Sequence, residues 1–199
     1  MEPRTLDLMT GPPPLSTPEP WQTRLLVAAG TGAAISILLG VYGRVHDPAG
    51  QQTVTAFFGT TLAFKAWMAT VVITFAVIQL LTALRMWGKI SWPSTTPPWF
   101  GQVHRLSGTL AFLATLPVAY HCLWAIGFEP DIDQPRRFFH SLFGCFFYGA
   151  FVVKVFAVRA SRLPGRLLPI IGGVVFTSLV VLWLTSSVWF FTTVGFPGF

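Results

Sequence analysis

Two histidines, His121 and His140, flank one short connection between two long apolar stretches. Neutral imidazole is a good metal ligand, and two imidazoles at matched depth on antiparallel helices could fill both axial positions of a haem iron. Such a site leaves no open position for oxygen chemistry and favours electron transfer. An ionisable side chain inside a membrane segment is costly, so each marks a functional site by default. Two other readings stay open. The rings can lock their helices together by hydrogen bonding, or hold copper or zinc.

The spacing sets the depth. His121 stands six residues before Gly127 and His140 five residues after Pro135. At helical rise these are depths of about 9 Å and about 7.5 Å. The short connection makes the two helices antiparallel neighbours. Gly144 follows His140 by one helical turn, leaving room for a flat macrocycle. Arg136 and Arg137 open the same helix, placed to pair with haem propionates. The competing role for these arginines is to balance Asp131 and Asp133. Phe139, Phe143, Phe146, Phe147 and Tyr148 supply an apolar wall.

His104 precedes His121 by 17 residues, which is about 25 Å of helix. One haem cannot bridge that distance. No second histidine stands beside His104, and Met86 is its one conceivable partner, so the chain is expected to bind one haem. His46 competes as a ligand near His121. Its neighbours Asp47 and Pro48 read as a helix end and a turn, which gives it a surface role.

These residues need helices to hold them. The chain has 199 residues, 53% hydrophobic and 10% charged, against about 25% charged in a soluble domain. Five apolar stretches predict transmembrane helices at about 23–45, 61–87, 103–128, 136–160 and 169–193. The fold class is therefore an all-α integral membrane protein, a five-helix bundle over residues 21–199. Residues 1–20 are proline-rich and read as a disordered tail with no signal peptide. Residues 46–60 suit a short amphipathic surface helix.

The net charge of +6 sits at helix ends, which points to topology and anionic headgroups rather than nucleic acid. Arg4, Arg24, Arg85, Lys89, Arg105, Arg159, Arg162 and Arg166 lie on one face. Arg44, Lys65, Arg136 and Arg137 lie on the other, with Asp47, Glu129, Asp131 and Asp133. The positive-inside rule makes the first face cytoplasmic, with the N-terminus inside and the C-terminus outside. The histidine pair is then near the outer face. Most tryptophans fall near helix ends as interfacial anchors. Cys122 and Cys145 fall within helices and read as inert packing residues. Gly32, Ser36 and Gly40 form a small-residue stripe for close helix packing. Pro117 should release the carbonyl of Leu113 and bend the third helix.

The segment His104-Arg105-Leu106-Ser107-Gly108 resembles the H-R-x-S-G signature of the cytochrome b membrane subunit of succinate dehydrogenases. That resemblance implies a quinone pocket with Arg105, Ser107 and His104 as its residues. A serine three residues before the histidine contributes in that family, and here the position is Gly101. His140-Ser141-Leu142-Phe143-Gly144 is similar to a histidine–glycine spacing of the same family. The matches cover about a dozen residues, and five helices exceed that family's three. In architecture the chain resembles small membrane b-type cytochromes, including cytochrome b561 and ferric-reductase-like proteins, which often carry two haems on four histidines. It also resembles five-helix membrane proteins of actinobacteria, which implies a bacterial plasma membrane.

The expectation is a multi-pass electron-transfer subunit with one haem b near the outer face, held by His121 and His140. Electrons would pass between a quinone or a redox partner protein and another partner. Neither a catalytic residue nor a flavin or nicotinamide motif is apparent, so the chain would be the cytochrome b subunit of an oxidoreductase rather than a whole enzyme. The alternative is a cofactor-free structural or assembly subunit. A metal or solute carrier ranks last, because Thr177, Thr185, Ser186, Ser187 and Gln79 are ordinary membrane-helix residues.

Overall fold

The computed structural model describes residues 20–48, 55–160 and 163–196. Residues 1–19 of the proposed disordered tail and 49–54 of the proposed surface helix lie outside them. Residues 55–60, within that expected helix, form turns and bends instead.

Among the described residues all regular structure is helical. α1 is Pro20–Val45, α2 Thr61–Met86 and α3 Phe100–Tyr120, which continues as a π-helical segment His121–Ile126. α4 is Pro135–Arg159. α5, Leu167–Trp183, runs through a second π segment, Leu184–Val188, into α6, Trp189–Thr193. The five resulting spans are each long and apolar enough to cross a membrane. Their ends fall within three residues of those expected. Local chemistry explains several of these ends. The Thr60 side chain caps α2 by accepting from the Ala63 N–H at 3.1 Å. Pro135 takes the first position of α4, where its missing N–H costs nothing. Gly127, with φ +81°, ends the π segment after Ile126.

Much of the bundle's outside is apolar. Leu26, Ile37, Leu38, Leu106, Val158 and Ile170 are all well exposed. A soluble protein would not leave so continuous an apolar surface bare, whereas lipid is its natural solvent.

The helices form a ring rather than a chain of sequence neighbours. α1 packs on α4, α4 on α5, α5 on α2 and α2 on α3, and the π segment after α3 closes the ring against α1. This corrects one expectation: α3 and α4 do not pack backbone to backbone. They face each other across the ring's interior and meet through side chains. The Tyr148 hydroxyl donates to Thr115 Oγ1 at 3.0 Å, and Phe112 stacks on Phe151 at 4.2 Å.

The small-residue stripe does pack closely. A Cβ at Gly32 would stand 2.6 Å from the Gly149 carbonyl oxygen, and one at Gly149 would run into Ser36 and the Gly32 backbone. Backbone stands against backbone here, so neither side can yield by a rotamer change. Gly149→Leu is expected to destabilise the bundle by about 1–3 kcal/mol or more. A lowered thermal midpoint in detergent, against wild type, checks this. An unchanged midpoint would show that α1 does not need this approach.

An apolar core of Val72, Ala76, Phe147, Ala150, Val175 and Leu179 fills the middle of the bundle. It separates a "His140 end", which carries the α3–α4 connection, from a "His104 end".

Candidate ligand cavity at the His140 end

A cavity of about 450 Å³ opens at the His140 end, between α2, the end of α3, α4 and the α5 π segment. On α4 it runs from Arg136 to Tyr148, twelve residues or about 18 Å of helix. Most of its lining is apolar. Polar groups also line it, among them Glu129, Arg136, Arg137, His140, Thr185 and the buried Lys65. Gly144 also lines it. A Cβ there would meet only Leu182 Cδ2, at 3.9 Å, so the glycine keeps space open in front of α4.

Each polar group has a visible anchor. His140 Nδ1 lies 2.9 Å from Thr185 Oγ1. Thr185 Oγ1 itself donates to the Val181 carbonyl at 2.7 Å. Its proton is thereby spent, so Nδ1 carries the proton of the His140 bond and Nε2 is left as the lone-pair nitrogen. That nitrogen stands 4.0 Å from Cys122 Sγ. Lys65 lines the same cavity. Lys65 is only 7% exposed, a buried cation four residues into α2. Arg136 lies 3.8 Å over the Trp189 ring and donates to the Thr185 carbonyl at 3.0 Å. Arg137 stands 4.0 Å from Glu129. Neither arginine is in an ion pair with Asp131 or Asp133 among the described residues.

The π segments make this arrangement. An extra residue in a helical turn shifts the faces of everything beyond it, and such turns are frequent at functional sites. The segment that begins at His121, four residues after Pro117, directs Cys122 to the cavity wall. His121 is 2% exposed and does not line the cavity. Its Nδ1–H donates to the Pro117 carbonyl at 2.5 Å, and its ring lies 5.1 Å from that of Phe64. Of the residues expected at one site, His140, Gly144, Arg136 and Arg137 converge; His121 adjoins the wall but does not form it. Of the expected aromatic wall, Phe147 and Tyr148 line the cavity, while Phe139 and Phe146 are exposed on the outside of α4. His46 also stays off the wall, between Tyr42 and Trp124 at 5.0 and 4.6 Å.

Sequence reasoning passed over Cys122, Lys65 and Thr185. Cys122 read as packing, Lys65 as a topology charge and Thr185 as a neutral helix residue. The signal for Lys65 was present in its depth within α2. Nothing linear marks Cys122, whose direction depends on the π turn.

The residues of the expected quinone pocket do not converge in this cavity. His104 Nδ1 donates to the Gln79 carbonyl at 3.1 Å and lies 3.0 Å from Thr82 Oγ1. Ser107 is buried, with its hydroxyl donating to the His104 carbonyl at 3.2 Å. Arg105 is exposed. Lys154 joins this end of the bundle, donating to Gln79 Oε1 at 3.3 Å.

The fold and cavity define a class: a five-helix protein with membrane-length apolar helices around a one-ended, cation-rimmed cavity. The chain belongs to the family of unknown function DUF6529, whose family model matches residues 25–198. No curated protein and no solved structure matches it.

Proposed function

We propose that this protein is a membrane electron-transfer subunit that holds one b-type haem in the cavity at the His140 end. The observation that carries this reading is a single imidazole aimed into an apolar cavity with cations at its mouth. His140 offers Nε2 to an iron, with Nδ1–H held by Thr185, the outer hydrogen bond that fixes a ligating imidazole. Gly144 leaves the space a flat ring needs. Arg136 and Arg137 stand where propionates would meet them. Bound haem would supply reversible one-electron chemistry. The chain's own part is to bind it, shield it with the apolar core and set its electrostatics.

Charge asymmetry supports a placement with the cavity on the outer side, the N-terminus inside and the C-terminus outside; a bacterial plasma membrane is what the resemblance to actinobacterial membrane proteins implies. A redox partner protein would then meet the cavity mouth. A quinone would bind elsewhere, near His104, Arg105 and Ser107. A second reading, a cofactor-free structural subunit, draws on the bonds from His140 and Arg136 to Thr185, which already tie α4 to the α5 π segment.

The test is a dithionite-reduced minus oxidised spectrum of the full chain, purified in detergent from haem-supplied cells. A sharp α-band with a shifted Soret peak is expected. A colourless protein would sink the haem reading and favour the structural one.

A further inference from the structure

We infer that Cys122, rather than His121, is the residue that ligates the bound iron opposite His140. This rests on the haem reading above and names its second ligand. The argument begins with direction. Cys122 lines the cavity, whereas His121 is turned onto Phe64 and Tyr120. The two side chains leave the π segment in different directions, and of the two only Cys122 lines the cavity with His140.

Distance gives the second argument. Cys122 Sγ and His140 Nε2 stand 4.0 Å apart. Ligand bonds of roughly 2.3 Å from sulfur and 2.0–2.1 Å from imidazole nitrogen are typical of zinc and serve as a guide for iron. Two such donors on opposite sides of one metal are about 4.4 Å apart. The observed pair is within a few tenths of an ångström of that, and the donors belong to helices whose backbones do not pack together.

Charge gives the third. Sulfur ligates as the thiolate, so the thiol must give up its proton when the bond forms. Lys65 lines the same cavity as Cys122, and its ammonium is the counter-charge the cavity offers a thiolate. It has a reason to be buried four residues inside an apolar helix. A bis-imidazole site would leave this lysine without such a task. A thiolate also donates electron density to iron, so the centre would be a low-potential carrier compared with a bis-histidine one.

The experiment uses the full chain in detergent, haem-loaded, as wild type, Cys122→Ser, His121→Ala and Cys145→Ser. Wild type is expected to show the narrow low-spin ferric electron paramagnetic resonance spread of a thiolate–imidazole haem. Cys122→Ser should bind haem more weakly, through His140 alone, and the haem it does hold should lose the sixth ligand, converting the low-spin spectrum to high-spin. His121→Ala and Cys145→Ser should keep the wild-type spectrum. A bis-imidazole spectrum in wild type, or an unchanged one in Cys122→Ser, overturns the assignment while leaving the haem reading intact. The wild-type spectrum decides the matter even if Cys122→Ser fails to fold. A wild-type protein that binds no haem fails the haem reading itself, and the ligand assignment falls with it.

Discussion

His140→Ala is expected to strip haem from the purified protein, lowering the haem-to-protein ratio by more than about tenfold. Loss of groups that merely orient a ligand already costs about 10–100-fold in metal affinity, and removing the ligand costs more. The fold should survive. His140 is only partly buried, and its side-chain bond to Thr185 is a local one. Arg136 keeps a separate tie from α4 to the Thr185 carbonyl. A pyridine haemochrome assay alongside gel filtration measures both quantities. His104→Ala is the control. Its ring belongs to the opposite end, beyond the apolar core, and the chromophore should be unchanged. A His140→Ala protein with wild-type haem content would refute the site. Equal loss in both variants would point to general destabilisation.

Gly144→Phe should have a comparable effect by a different route. No ligand is removed and no charge is changed. The open space before Gly144 admits a Cβ, with Leu182 at ordinary contact distance. The rest of the ring can then enter a cavity that is otherwise empty of protein atoms. Filling an existing cavity costs less stability than inserting atoms into a packed core. The variant is therefore expected to remain folded and to lose more than about tenfold of its haem, an effect above 1.4 kcal/mol in binding. The contrast is with Gly149→Leu, one helical turn and one residue further along α4. There the backbone of α1 blocks the new side chain, and stability is what suffers. Haem content and thermal midpoint, measured on both variants, should separate. Full haem occupancy in Gly144→Phe would mean that the group does not use this cavity.

Hydropathy could locate the five spans because each is a long apolar run with a chemically marked end. Lipid demands that every backbone group be satisfied within the segment, so length and composition alone specify a helix. Thr60, Pro135 and Gly127 then mark ends that local backbone chemistry explains. The close approach at Gly32 was legible for the same reason. A four-residue stripe of small side chains has one physical use in a packed bundle.

The neighbours of each helix were not legible. A short connection between α3 and α4 reads as an adjacent pair, yet α1 and α5 flank α4 instead. Apolar helix faces are chemically alike, so hydropathy carries no record of which face meets which. The candidate site divides along the same line. His140, Gly144, Arg136 and Arg137 lie on one uninterrupted helix, where helical spacing is a reliable guide to direction. His121 and Cys122 open a π segment after Pro117, where that guide fails. By itself the sequence determined the helices, their lengths and the α4 side of the cavity, because those depend on residues close along the chain. Only the tertiary structure decided the ring order and the groups that share the cavity with His140, among them Cys122 and Lys65. Those depend on how distant helices turn their faces toward one another.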